Sequence, residues 1–156
     1  MKVLWVFIII NMEVREFLTE KDEQRIIAAI KTAESRTSGE IRVHFEKSLK
    51  EDAIHRATEV FNFLGMDQTE RKNGILFYLA VDDHVFAVIG DSGIDQVVPD
   101  DFWESIRDEV IVEFKKGDYA KGLEMGILHA GEKLKEFFPV DADDKNELPD
   151  EISTHS

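Results

Sequence analysis

Four aspartates, Asp91, Asp95, Asp100 and Asp101, fall within eleven residues of one segment, VIGDSGIDQVVPDDFW (88–103). Carboxylates gathered this closely can hold a hard cation such as Ca²⁺, which takes about six to eight oxygens from carboxylates, carbonyls and water. Gly90 and Gly93 would let backbone carbonyls turn toward such an ion. The competing reading is that Asp100 or Asp101 caps the helix that follows, where carboxylates favour the positive end of the dipole. Spacing alone does not separate the two. The same segment contains GDSG, most of a serine-protease nucleophile signature. That signature needs a further Gly to close the oxyanion hole, whereas Ile94 follows here, and its fold is all-β while this chain reads as helix-rich. Ser92 is therefore not read as a nucleophile. The G-x-S-x-G elbow, the H-E-x-x-H zinc pair and the Lys-Ser/Thr phosphate loop are all absent. Asp91 follows a strand, as the attacking aspartate of an aspartyl-phosphate enzyme does, but the next aspartate comes four residues on and breaks the D-x-D arrangement.

Composition narrows the chemistry further. With 33 acidic against 19 basic residues the net charge is −14, a field that repels phosphate backbones and anionic membranes and attracts cations. Nucleic acid is excluded as a partner on that ground. The absence of cysteine removes disulfides, thiolate metal sites and cysteine nucleophiles.

The chain of 156 residues is the size of one domain able to bury a core. The segment 141–156, DADDKNELPDEISTHS, holds six carboxylates and one lysine; it reads as an acidic disordered tail. The remaining 140 residues keep a charge of about −9, so the domain itself is acidic. Residues 1–16 read as an N-terminal extension. The apolar run 3–10 is far shorter than the ~20 residues that span a bilayer. Met12 reads as a cytosolic start, and an export signal or a packed strand are the alternatives.

Five segments and a hairpin must position the aspartates. Thr19 with Asp22 makes an N-cap pairing for a helix in which Ile26, Ile27, Ile30 and Ala33 recur at helical spacing. EIRVHFE (40–46) alternates, predicting a strand with one wet face near a sheet edge. A second amphipathic helix occupies 51–64. Two apolar runs, 75–81 and 85–89, flank Asp82-Asp83-His84 and predict a hairpin buried on both faces. A third helix opens at Pro99-Asp100-Asp101 and closes at Gly117; a fourth runs from Asp118 to just before Pro139. The order α-β-α-β-β-α-α, with strands covered on both faces, implies a three-layer α/β/α sandwich around a small mixed sheet, with the domain over 17–139. A strand–helix–strand crossover makes the first two strands parallel, and the hairpin turns the third back. TSGE (37–40), RKNG (71–74) and GDSGID (90–95) then share one sheet edge. Asp82-Asp83-His84 lies about 20–25 Å away at the other edge, as a plain turn.

AESRTSGEIRV, RKNGILFYLAVDDHVFAVIGDSGIDQVVPDDFW and FKKGDYAKGLEMGI together resemble the TPM domain family, known from thylakoid-lumen photosystem II repair proteins and from many bacterial proteins. The similarity covers about residues 17–138. It is carried by Thr37-Ser38-Gly39-Glu40, Asn73-Gly74, the Gly93-Ile94-Asp95 to Val98-Pro99-Asp100 stretch, and the glycines of 117–127. The resemblance implies an α/β/α sandwich with divalent-metal binding, often calcium, near the aspartate-bearing loop. Acid phosphatase activity, assigned to plant members, comes with it as a second implication. Many members also carry a signal peptide and a C-terminal transmembrane helix; this chain reads as the stand-alone soluble type.

The functional expectation is therefore a non-catalytic, divalent-metal-binding module that stabilises or regulates a protein partner, with a metal-dependent acid phosphatase acting on phosphomonoesters as the alternative. Asp91, Asp95, Asp100 and Asp101 are the expected ligands of Ca²⁺, or of another divalent cation such as Mg²⁺. Asp91 is the attacking group if the protein is a phosphatase. Glu40, Arg71 and Asn73 are candidates to line the site, with bland readings as a solvated strand end, a surface charge and a turn residue. The expected state is a cytoplasmic monomer without a membrane span, or an exported protein if residues 1–11 act as a signal.

Overall fold

A computed structural model describes residues 2–7, 18–83, 85–140 and 153–155. The first helix, Glu20–Glu34 (α1), starts where the sequence indicates, with Thr19 and Asp22 exchanging side-chain and backbone hydrogen bonds as a complete capping box. Glu40–Glu46 (β2) leads into Ala53–Phe63 (α2), capped by Asp52. Gly74–Ala80 (β3) and Val85–Gly90 (β4) form the hairpin. A single helical turn, Ser92–Asp95 (α3), precedes Phe102–Lys115 (α4) and Tyr119–Phe137 (α5). Gly117, at φ 83°, makes the left-handed turn between the last two helices that a residue with a Cβ adopts only with strain.

Among the described residues the sheet has five strands. β2 and β3 are parallel and β3 and β4 antiparallel, as the crossover and hairpin require. Two further strands complete the edges: Lys2–Phe7 (β1) pairs antiparallel with β4, and Ser153–His155 (β5) pairs parallel with the end of β2, giving the order β1-β4-β3-β2-β5. The expected extension at 1–16 and tail at 140–156 thus each contribute a short strand, and 8–17 and 141–152 lie outside the described residues. His84 of the predicted turn does also.

Two apolar clusters define the layers. Ile41, Val43, Phe45, Phe77 and Val88 face α1, α4 and α5, whereas Leu76, Tyr78, Ala87 and Ile89 face α2. Strand side chains alternate between faces, so the helices lie above and below a sheet buried on both sides, and the three-layer sandwich holds.

One expectation is corrected. β2 has no wet face: Glu40, Arg42, His44 and Glu46 are all buried. Alternation predicts solvent contact, but β5 covers the outer edge of β2 and Arg56 of α2 caps the carboxylate of Glu46. The polar residues on this face are buried together with partners, among them Glu46 with Arg56 and His44 with Ser153, which is how buried charge is tolerated.

Candidate functional site

The edge of the sheet at Glu40, Gly74 and Gly90 gathers three polar segments, as the topology predicted. β2 and β3 begin in register there, and β4 ends there. The chain leaving β4 docks backbone to backbone on the loop before β3: Asp91 N–H donates to Gly74 O at 3.0 Å and Gly93 N–H to Lys72 O at 2.9 Å. Lys72 sits at φ 53°, an uncommon conformation for a residue with a side chain. A Cβ on Gly93 would lie 2.2 Å from Arg71 O and 2.5 Å from Lys72 O, so only glycine permits this approach. Asp91 then caps α3, its Oδ1 accepting from Ser92 N–H at 2.7 Å. Asp95 closes that turn with its N–H on Asp91 O at 3.1 Å, which puts the two side chains one helical turn apart.

Asn73 is buried and donates through Nδ2 to Ser38 Oγ at 3.2 Å, and Arg71 Nη1 donates to the same oxygen at 3.2 Å. Ser38 is thus the hub of the edge, a residue that the TSGE motif contained but that was not singled out as a site residue. Two oxygens here, Asp91 Oδ2 and Asn73 Oδ1, are buried without a hydrogen-bond partner. Orphaned buried oxygens of this kind are costly unless something occupies them. A hard cation fits, because a carboxylate and an amide carbonyl are its ordinary donors.

The other expected residues are placed as follows. Glu40 is buried and donates its N–H to Asn73 O at 3.2 Å, so it is no solvated strand end. Arg71 is exposed and Asp95 half-buried. The left-handed turn conformation belongs to Lys72 rather than to Asn73. Asp100 and Asp101 are exposed; Asp101 occupies the N-cap position of α4 but makes no side-chain capping bond. The edge therefore unites Asp91, Asp95, Asn73, Arg71, Glu40 and Ser38, while Asp100 and Asp101 stand on the stretch leading away from it.

A serine–histidine–carboxylate contact exists, but not at Ser92. Ser105 Oγ lies 3.3 Å from His129 Nε2, and His129 Nδ1 lies 2.5 Å from Glu109 Oε2. Ser105 sits inside α4 with its N–H committed to Asp101 O, so its amide offers no oxyanion hole. These contacts tie α4 to α5.

The opposite edge carries a second polar assembly. Glu46 Oε1 and Oε2 accept from Arg56 Nε at 2.9 and 3.0 Å, and Tyr78 OH donates to the same carboxylate. Burial alone would push the Glu46 carboxyl up. The contacts with His44, Arg56 and Tyr78, and the Arg56 charge, more than reverse this and hold it at about 2. Glu46 lines a cavity of about 350 Å³ together with Lys47, Ser48, Lys50, Glu51, Arg56 and Glu59. At its side, ligand atoms of Glu51, His55 and Glu59 all lie within 4.8 Å of one another. The sequence signal for this cluster is the four-residue spacing of E-H-E, which puts His55 and Glu59 on one face of α2 with Glu51 just before its cap. Asp83 anchors the neighbouring loop by accepting Leu49 N–H, and Asp82 N–H donates to Lys47 O at 2.7 Å, in keeping with the reading of a turn.

Comparison with known proteins adds four findings. A family model described as the TPM domain matches residues 12–133. Among solved structures, the BA42 protein of the psychrophilic bacterium Bizionia argentinensis is 47% identical, with a TM-score of 0.86 over 92% of this chain and 99% of that one. The N-terminal domain of cg2496 from Corynebacterium glutamicum (14% identity, TM-score 0.62, 92% and 84% covered) and an N-terminal domain from P. gingivalis (21%, 0.63, 81% and 82%) share the fold. No curated protein matches the chain. Among the described residues no helix is long and apolar enough to cross a membrane.

Proposed function

This chain belongs to the TPM domain family, and from that premise we propose that it is a divalent-cation-binding module, with calcium as the cation, that acts by stabilising or regulating a partner rather than by catalysis. The observation that carries this reading is the pair of buried oxygens without hydrogen-bond partners, Asp91 Oδ2 and Asn73 Oδ1, on one sheet edge. Asp95, one turn beyond Asp91, supplies a further carboxylate. Both Asp91 and Asn73 offer oxygen, and oxygen donors select Ca²⁺ or Mg²⁺ over softer metals. The bound cation would supply charge neutralisation for the Asp91–Asp95 pair. The protein's own part is to hold that pair rigid: the docked backbone of 91–93 and the cap on α3 fix where the carboxylates stand.

Phosphomonoester hydrolysis is the second reading, and Arg71 beside Ser38 is the observation that favours it, since a phosphoryl group needs a cationic partner. One experiment separates the outcomes. Thermal melting is followed against Ca²⁺ for wild type, Asp91→Asn and Asp95→Ala. Ligand at about a hundred times Kd adds about 2.7 kcal/mol, which is a rise of several degrees for a domain of this size. The rise is expected in wild type and lost in both variants; Asp91→Asn keeps a capping side chain, so loss of the cap does not confuse the result. No rise at millimolar Ca²⁺ would sink the proposal. Turnover of a generic phosphomonoester by wild type, absent in Asp91→Asn, would favour the second reading.

A further inference from the structure

The sheet edge opposite Asp91 offers a different donor set. His55 and Glu59, four residues apart in α2, share one helical face, and Glu51, just before the Asp52 cap, brings its carboxylate to the same place, with the three ligand atoms within 4.8 Å of one another. His55 Nδ1 lies 3.0 Å from Glu51 Oε2 and 3.7 Å from Glu59 Oε1. Two carboxylates converging on one imidazole nitrogen repel each other unless a proton or a cation lies between them. The nearest basic group is already committed. Arg56 Nη1 is 4.0 Å from Glu59 Oε1, but its guanidinium is held by both oxygens of Glu46.

Beside this face lies the 350 Å³ cavity, with Glu51 and Glu59 in its wall alongside Lys47, Ser48 and Lys50. Glu46, also in the cavity wall, is paired with Arg56 and lies 3.6 Å from His44 Nε2.

We propose that Glu51, His55 and Glu59 bind a borderline divalent cation of the Zn²⁺ class at the wall of this cavity, as a second site distinct in place and chemistry from the Asp91 edge. One imidazole nitrogen and two carboxylates are zinc donors, and three protein ligands leave a position open to water or a small anion, as in sites that use the metal. Three donors, one of them nitrogen, do not meet the oxygen requirement of Ca²⁺. The cavity supplies room for that fourth ligand, and Lys47 and Lys50 favour an anionic one.

The test uses the full chain and Zn²⁺ alone. Side-chain ¹⁵N NMR of the histidines is followed through a Zn²⁺ titration, with calorimetry for affinity. The His55 Nδ1 resonance should shift with saturation at one equivalent, and Ca²⁺ should leave it in place. His55→Ala, an exposed change, should weaken Zn²⁺ binding by more than the roughly 10–100-fold that losing a mere outer partner costs. Glu51→Gln with Glu59→Gln should do the same, while Asp91→Asn should leave Zn²⁺ affinity unchanged. An unmoved His55 resonance, or undiminished affinity in His55→Ala, would overturn the proposal. Equal loss in Asp91→Asn would show Zn²⁺ entering the first site instead, and would overturn it as well. Failure here leaves the calcium response of the Asp91 edge intact, so the two readings stand or fall separately.

Discussion

Glu46 is a carboxylate whose charge the fold requires. It is buried among Arg56, Tyr78 and His44, and its carboxyl is held at about 2, well below the ordinary value near 4.3. A group depressed in the folded state adds stability that is fully present above the unfolded pKa and disappears as pH falls through the folded one. The contribution is on the order of a few kcal/mol, at about 1.4 kcal/mol per unit. Glu46→Gln should therefore be clearly less stable than wild type at pH 7. The gap should narrow between about pH 4.5 and pH 2, where the wild-type side chain becomes neutral too. Urea denaturation across that range measures it, and a gap independent of pH would show that shape rather than charge matters at this position. The sequence announced Glu46 only as the polar member of an alternating strand. Its partners come from residues 10 and 32 positions away, and local pattern carries no record of them.

At the scale of elements, the long helices were legible because a 3.6-residue apolar period over eleven or more residues, with a cap at its start, has few other physical meanings. α3 was not. A single turn of four residues is too short to show a period, and its aspartates looked like a loop. What holds it is the contact of Gly93 with the carbonyls of Arg71 and Lys72. Gly93→Ala places a methyl where two backbone oxygens stand, and neither can retreat as a flexible side chain does. We expect a loss of about 1–3 kcal/mol, the usual range for overpacking, read as a lower melting temperature. Amide shifts should concentrate at 71–74 and 91–95. A variant as stable as wild type, with those shifts absent, would mean that the two segments are not docked as described.

At the scale of the whole molecule, the sheet is closed at its edges by segments from the two ends of the chain. β5 lies against β2, and its Ser153 Oγ meets His44 Nδ1 at 2.8 Å. Exposed strand edges carry unpaired backbone groups and invite association. Ending the chain at residue 140 should leave the core helices folded but free the outer edge of β2. Amides of 44–46 that face that edge should exchange faster, by orders of magnitude if the pairing persists in solution, and the truncated protein should self-associate more readily. Unchanged exchange would show that β5 adds no protection.

The sequence by itself determined the sandwich, the parallel and antiparallel pairings, and the edge where Asp91, Asn73 and Glu40 come together. Each follows from short-range rules: side-chain period, capping, and the geometry of a strand–helix–strand crossover. Only the tertiary structure decided that the polar side of β2 is dry, that Ser38 joins Arg71 to Asn73, and that Glu51, His55 and Glu59 stand beside a cavity. Burial depends on what covers a surface, and the cover comes from residues distant in sequence. An alternating strand reads the same whether its polar side meets water or an arginine from the next helix.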